Sequence, residues 1–446
     1  MQPILLSGYG HASTVPSPVN RMMSAFADDF RPEADINLGV GYVNEETIPR
    51  ERILEAMRTV LDHPQRYPTA LNYGGSRGSR NLISAIRGFL VANAVGGLTT
   101  DVLDRREIVI GPNGATSLLE SAALTLEPGI VLTSDPMYYI YCEFLARRGF
   151  QVVAVSEDGE GIRIDLLERR LVDLGERRRD IRFLYVVTVN NPTGTILSND
   201  RREALVRIAG DLSRQLGRQV PLILDRAYED LVHDPGVPPL VSGLIGDGDG
   251  LVYEVGTLSK ILAPALRIGY LIGSPGPFLD AVVQRTSDSG FSAPLINQEI
   301  AAHLLEHHVS DQIRKVNTGY REKARAIQEW IDRDLGNRVC EQTGGGAGFY
   351  IYLTLRDVET TEDSRFFTYL ARTTGDPEID GTANDPHPRV IYLPGSFCVH
   401  PEGDLVGVGR RQLRLSYGFE ELPRIEQAIG MMKRAADYAQ EGSVGP

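Results

Sequence analysis

The sequence predicts an α/β protein with a mainly parallel central sheet, followed by a smaller α+β unit. Three observations carry this. Between about residues 106 and 273, short β-branched runs alternate with helical stretches. Those runs are continuously apolar, as expected of strands covered on both faces. Beyond them the chain enters a long helical stretch and then changes character.

In chain order, "REIVIG", "GIVLTSD", "FQVVAVSE", "IRFLYVVTV", "VPLILD", "LVYEVGT" and "LRIGYLIGS" read as strands. Between them "ATSLLESAALTL", "YYIYCEFLARRG" and "DRREALVRIAGDLSRQLG" carry helical periodicity. A long helix is expected from roughly Asp311 to Leu335. The C-terminal part follows with "GFYIYLTL", a helix near 362–372, "RVIYLPG", "RQLRLSYGF" and a last helix from about Pro423. The expected division is a large unit at 66–310 and a small one made of 1–65 and 311–446, with an N-terminal arm. Breaker-rich 233–250 and 373–388 read as surface loops.

Whole-chain properties narrow the function classes. With 46 Lys and Arg against 59 Asp and Glu, the net charge is −13, which argues against nucleic-acid or membrane partners. The three cysteines, Cys142, Cys340 and Cys398, are far apart and form no CxxC pair, so a cytoplasmic location is expected. The start lacks a basic n-region, and no run reaches the ~20 apolar residues of a membrane span. His303 and His307 stand at i, i+4, but without an HExxH glutamate they read as a solvated helix face, and no metal site is expected. "GGGAG" (344–348) lacks the strand–turn–helix setting of a dinucleotide fingerprint.

Only four residues are lysine: Lys260, Lys315, Lys323 and Lys433. Arginine stays protonated at any accessible pH, whereas a lysine amine can lose its proton and attack a carbonyl. Lys260, in "TLSKILAPALRIGY", is therefore a candidate for amine chemistry. Loops beyond the strands' carboxyl ends, where such sheets bind ligands, hold further polar residues. "PNGATSLLE" opens a helix on a glycine turn, so N–H groups at Gly114, Ala115 and Thr116 can face an anion; alone, an ordinary capped helix explains it equally well. Asn191 ends a strand in "VTVNNPTGT", by itself a turn signal. Asp225 ends another in "LILDRAYEDL", with Tyr228 three residues on, and a strand-end aspartate is as often a helix cap.

Together these residues describe a site for an aldehyde cofactor with a phosphate and a pyridine ring. Lys260 would form the Schiff base and Asp225 would pair with the ring nitrogen. Asn191 and Tyr228 would bond the ring's phenolic oxygen. Thr257, Ser259 and Arg267 would join the amide N–H groups around the phosphate. Tyr138 in "SDPMYYIY" would stack on the ring face, with Tyr139 packing beside it.

These segments also carry a resemblance. The chain is similar to the class I/II aminotransferases, pyridoxal-phosphate-dependent transferases of the aspartate-aminotransferase fold (fold type I). The similarity runs from "INLGVGY" to "RLSYGF" through "NYGGSRG", "NGATS", "DPMY", "NNPTG", "DRAY" and "TLSK" with its following arginine. It implies pyridoxal 5'-phosphate as cofactor on the residues just named. It also implies a substrate-binding set: Gly41 in "LGVGY" against the substrate carboxylate, Asn191, and Arg414 in "RLSYG" gripping that carboxylate with its planar fork. Tyr73 in "NYGG" matches a tyrosine that reaches the phosphate of the neighbouring subunit, which implies a homodimer with shared active sites. Three departures stand out: Ala265 for a usual glycine, Thr257 for serine, and "GYVNEETIP" (41–49), which lacks the short proline-containing loop of many relatives. The extended start, with Tyr9 and His11, reads as an arm rather than a cover.

What the resemblance implies is chemistry at Cα of an amino-acid substrate, with transamination the leading outcome. The alternative is γ-elimination or replacement, or a carbon–carbon-bond-forming annulation in natural-product biosynthesis. There S-adenosylmethionine would be the amino-acid substrate, with an electrophile such as the nicotinamide ring of NAD. One feature leans that way: "QRTSDSGFSAP" (284–294) puts Asp288 where aspartate-specific relatives place an arginine, although Arg285 lies close by. A regulator borrowing the fold would need a DNA-binding extension, which the acidic balance disfavours.

Overall fold

The computed structural model describes residues 4–441, apart from the side chains of residues 25 and 26; residues 1–3 of the expected arm and 442–446 lie outside the described residues. Eight strands form the central sheet: β1 (Glu107–Ile110), β2 (Ile130–Asp135), β3 (Gln151–Asp158), β4 (Gly161–Ile162), β5 (Ile181–Val187), β6 (Leu222–Asp225), β7 (Val252–Thr257) and β8 (Gly269–Gly273). Their order is β1-β8-β7-β6-β5-β2-β3-β4. Strands β7, β6, β5, β2 and β3 are parallel, as the apolar runs predict. Strand β8 runs antiparallel to both neighbours. The segment between β7 and β8 holds no crossover helix, only a short 3-10 turn at Pro264–Leu266, so it reverses the chain. All residues of β2, β6, β7 and β8 are buried, which is why these strands show no polar alternation.

A second, antiparallel sheet has the order β9-β10-β12-β11, from β9 (Val339–Gly344), β10 (Tyr350–Leu355), β11 (Leu393–Pro394) and β12 (Gln412–Ser416). Here the structure corrects one expectation. "RVIYLPG" is not one strand: Val390–Ile391 pairs in parallel with Ile36–Asn37, and Leu393–Pro394 pairs with β12. The buried Tyr392 hydroxyl between them is held by the Thr360 carbonyl at 2.6 Å. This split ties the "LGVGY" loop to β12, with Ser416 N–H donating to Leu38 O at 2.8 Å.

Six helices matter for the site: α1 (Pro18–Ala27), α2 (Gly114–Thr125), α3 (Tyr139–Arg147), α4 (Asn199–Leu216), α5 (Val309–Asp334) and α6 (Leu422–Glu441). Helix α4 obeys the local rules throughout: Ser198 caps its start, and Gly217, at φ +65°, ends it in the left-handed region. Helix α1 begins in the same way, with Ser17 capping and Pro18 in the first turn. Helices α2 and α3 pack Leu118, Leu119, Tyr141 and Phe144 onto one face of the large sheet. The other face shares its core with the small sheet, through Tyr228, Phe349, Tyr350 and Leu413.

Behind β6 lies a chain of buried charges. Arg226 pairs with Glu229 and, at 2.7 Å, with Glu254 on β7, while Glu229 also pairs with Arg202 of α4. Ser242 donates to the second oxygen of Glu254 at 2.8 Å. Residues 225–229 are thus pinned from behind. Among the described residues the three cysteines are free, no helix is long and apolar enough to cross a membrane, and no three His, Cys, Asp or Glu side chains cluster as metal ligands.

Candidate active site

The carboxyl ends of β5, β6 and β7 open onto a cleft of about 130 Å³. The cleft is lined by Ala115, Thr116, Tyr138, Asn191, Asp225, Tyr228, Thr257, Ser259, Lys260 and Arg267. Asp225 is the last residue of β6 and is 4% exposed. One carboxylate oxygen accepts from the Tyr185 hydroxyl at 2.9 Å and the other from Ala227 N–H at 3.1 Å. It has no ion-pair partner among the described residues, and burial pushes its pKa up to about 6. A buried carboxylate so placed calls for an N–H⁺ group.

Lys260 follows β7 in a turn, and its Nζ donates to the Gly41 carbonyl at 3.3 Å. The amine lies 5.5 Å from the Tyr228 ring centroid and 5.6 Å from that of Phe349. Burial, with smaller contributions from Arg414 and Arg267 and against the opposing pull of Asp225, lowers its pKa to about 8. The neutral, nucleophilic form of this amine is therefore far more accessible near neutral pH than that of an exposed lysine.

At the other end of the cleft, Gly114 opens α2 at φ +74°, and a Cβ there would meet Arg267 Nη2 at 3.0 Å. Arg267 is held by Asn113, whose side-chain oxygen accepts from Nε at 2.8 Å. The Thr257 hydroxyl bonds Ser259 Oγ at 2.9 Å. No side chain caps the start of α2, so its first N–H groups remain for an anion.

A larger pocket of about 750 Å³ adjoins the cleft and shares Tyr138, Asn191, Tyr228 and Lys260 with it. Arg414 of β12 lines it and is 1% exposed. Its Nη1 donates to Asn191 Oδ1 at 2.7 Å and its Nη2 to the Gly39 carbonyl, while Nε has no partner. No carboxylate pairs with this buried guanidinium among the described residues, so it too lacks a counter-ion. Gly41 stands beside it, where a Cβ would lie 2.3 Å from the Tyr350 hydroxyl.

Lys260, Asp225, Tyr228, Asn191, Tyr138, Thr257, Ser259, Arg267 and the α2 start thus meet in one cleft, with Gly41 and Arg414 alongside. Tyr73 does not join them in this chain: it is 77% exposed and packs on Phe291. Arg285 and Asp288 line neither pocket. Tyr139, expected only to pack, also lines the larger pocket. Tyr9 and His11 stay outside the pocket, but α1 contributes Val19, Asn20, Met23, Ser24 and Ala27 to its wall. The Ser-Pro start of α1 was a legible helix signal; its destination was not. Tyr185 and Tyr350 were also missed, since each sits within an apolar strand run.

Comparison with known proteins agrees with this geometry. Residues 33–373 match the family model described as aminotransferase class I and II. The chain belongs to that family. It is 27% identical over 313 residues to a 2-aminoadipate transaminase of Thermus thermophilus, covering 70% of this chain and 72% of that one. It is 26% identical over 412 residues to the uncharacterized HTH-type transcriptional regulator YisV of Bacillus subtilis, covering 92% and 75%. The fold is shared with the multiple substrate aminotransferase of Thermococcus profundus, at TM-score 0.82, 21% identity and 98% coverage of both chains.

The class I/II aminotransferase described here is a pyridoxal-phosphate-dependent transferase. Its own residues fit the cofactor: a buried carboxylate without a cation for the ring nitrogen, an amine for the aldehyde, and N–H groups with an arginine for the phosphate. The fit has a measurable consequence. The folded-state pKa of Asp225 is raised, so the folded protein holds its proton more tightly than the unfolded chain does. Stability therefore falls as pH rises from about 4 to about 6 and stays penalised above, by on the order of 3 kcal/mol without cofactor. Asp225→Asn is expected to raise the melting temperature of cofactor-free protein at pH 8, with the gain fading toward pH 4. In cofactor-loaded protein the sign should reverse. Thermal melts with and without cofactor check both.

Proposed function

We propose that this enzyme transaminates an α-amino acid whose side chain is large and carries no negative charge, and that it works as a homodimer. The observation that carries this is the buried, anion-free Arg414 facing Lys260 in one pocket. When bound, the cofactor supplies an electron sink for the pair released at the substrate's Cα. Arg414 takes the α-carboxylate, and Asn191 holds the guanidinium plane through Nη1. Gly41, lacking a side chain, leaves room beside Tyr350. These contacts would present the Cα–H to Lys260, whose amine would take that proton and pass it on to the carbon that was the aldehyde's. Asp225 would keep the ring nitrogen protonated, and Tyr228 would donate to the ring oxygen.

The outer wall sets the substrate class. It comprises Met23, Phe30, Tyr42, Ile391 and Phe419 with the neutral Asn20 and Ser24. Apart from Lys260 and Arg414, no charged side chain among the described residues lines the pocket, so a second carboxylate finds no further cation among them. A dimer is supported by the exposed apolar set Leu71, Tyr73 and Phe291, at 79%, 77% and 57% exposure. In it Tyr73 serves the partner's phosphate. The free thiols support a reducing, cytoplasmic setting. The division into 66–310 and 1–65 plus 311–446 puts the cofactor's anchors on the large unit and Arg414 on the small one.

The same wall favours a second reading, γ-replacement or annulation with S-adenosylmethionine and an electrophile such as NAD. Phe30, Tyr42 and Phe419 would suit a sulfonium and a purine. A substrate screen on cofactor-loaded protein separates the two. Transamination predicts that a simple amino acid bleaches the visible cofactor band and a 2-oxo acid restores it. If only S-adenosylmethionine perturbs the band, with methylthioadenosine released, the second reading holds.

Arg414→Ala is expected to lower kcat/KM by about 10² to 10³-fold, mostly through KM. Its signature is lost discrimination: wild-type enzyme should prefer an amino acid over its carboxamide, and the variant should not.

A further inference from the structure

The structure assigns a role to Tyr350, which no part of the shared chemistry above uses. We propose that Tyr350 is a positioning residue acting through Tyr228: its hydroxyl donates to the Tyr228 oxygen, so that the Tyr228 proton points at the cofactor's ring oxygen. This rests on pyridoxal phosphate occupying the cleft.

The two hydroxyls lie 2.7 Å apart, and this is the hydrogen bond the structure shows for either one. They occupy different places. Tyr228 lines both the cleft and the larger pocket, whereas Tyr350 lines only the larger one. Tyr350 therefore reaches the cofactor only by way of Tyr228. It is also held for this task. The Arg414 guanidinium sits 4.6 Å from its ring centroid, the ring meets those of Tyr228 and Phe349, and Gly41 leaves the hydroxyl its space.

Two physical reasons set the direction of the bond. Burial raises the pKa of both phenols, but the Arg414 cation against the Tyr350 ring offsets part of that rise, and Tyr228 is pushed up further, which leaves Tyr350 the stronger acid and the better donor of the pair. Donation to Tyr228 also polarises the Tyr228 O–H, strengthening the bond that hydroxyl gives in turn. The Arg414 that takes the substrate carboxylate thus touches the same tyrosine that tunes the cofactor.

The test is a pH titration of the visible band of the cofactor-loaded full chain. Hydrogen bonds donated to the ring oxygen favour the deprotonated chromophore, so losing one raises the midpoint. Tyr228→Phe should raise it by about one to two pH units. Tyr350→Phe should raise it by about half a unit, with the melting temperature unchanged. In the Tyr228→Phe background, adding Tyr350→Phe should shift nothing further, because the relay has lost its middle member. An unmoved midpoint in Tyr350→Phe, or an equal shift in both backgrounds, would overturn the proposal while leaving the cofactor assignment intact. Failure of the wild-type chain to develop any cofactor band would overturn both.

Discussion

Replacing Lys260 with alanine is expected to abolish covalent retention of the cofactor and to cut turnover by at least about 10⁴-fold. The size follows from two losses at one position. Among the described residues no other lysine nitrogen lines either pocket, and in the proposed assignment this amine serves both as nucleophile toward the aldehyde and as the base at Cα. Borohydride reduction followed by mass spectrometry reads the first role: wild-type chain should gain the cofactor's mass at residue 260, and the variant should not. Steady-state turnover reads the second. Lys260→Arg keeps the positive charge but holds it at every accessible pH, so it should fail equally. Substantial activity in either variant would refute the assignment.

The largest stability effect is expected from Arg226→Met. Arg226 is 5% exposed and sits between Glu229 and Glu254, at 9% and 1%. Its removal leaves Glu254 with the Ser242 hydroxyl and the Gly243 N–H but no cation, and leaves Glu229 with Arg202 alone. Breaking a buried ion network in this way costs about 3–5 kcal/mol. Denaturant unfolding measures the loss, and Arg226→Met combined with Glu254→Gln should recover part of it by removing the stranded charge. Because residues 225–229 also carry Asp225 and Tyr228, cofactor affinity should fall with stability. A loss below about 1 kcal/mol would show that the charges are solvated in some way the fold does not suggest.

Much of the site was legible because its parts are local. Asp225 announces itself as a polar residue ending an apolar strand, Asn191 as a turn residue just beyond another, which stops at Val187 rather than at Asn191 as expected, and Gly114 as the glycine that opens a helix. Lysine scarcity marked Lys260 before any partner was known. Other residues gave no such signal. Tyr350 and Tyr185 look like core residues of their strands, and they are buried; their hydroxyls matter only because of what lies opposite. Arg226 reads as one more arginine until Glu229 and Glu254 close around it.

The substrate side shows the same boundary. "RVIYLPG" has the composition of one strand, yet it serves two pairings, and that split carries Gly39 and Gly41 to Arg414. Helix α1 is announced by its Ser-Pro cap, but nothing in its composition says that Val19, Asn20 and Met23 line the larger pocket. By itself the sequence determined the fold class and the cofactor, and it offered the candidate anchors in their order along the chain. These depend on strand periodicity, helix starts and residue chemistry, all encoded within a few positions. Only the tertiary structure decided which buried charges lack partners, which hydroxyls meet, and how wide and uncharged the substrate wall is. Those properties are set by contacts between segments far apart in the chain, and no local pattern records them.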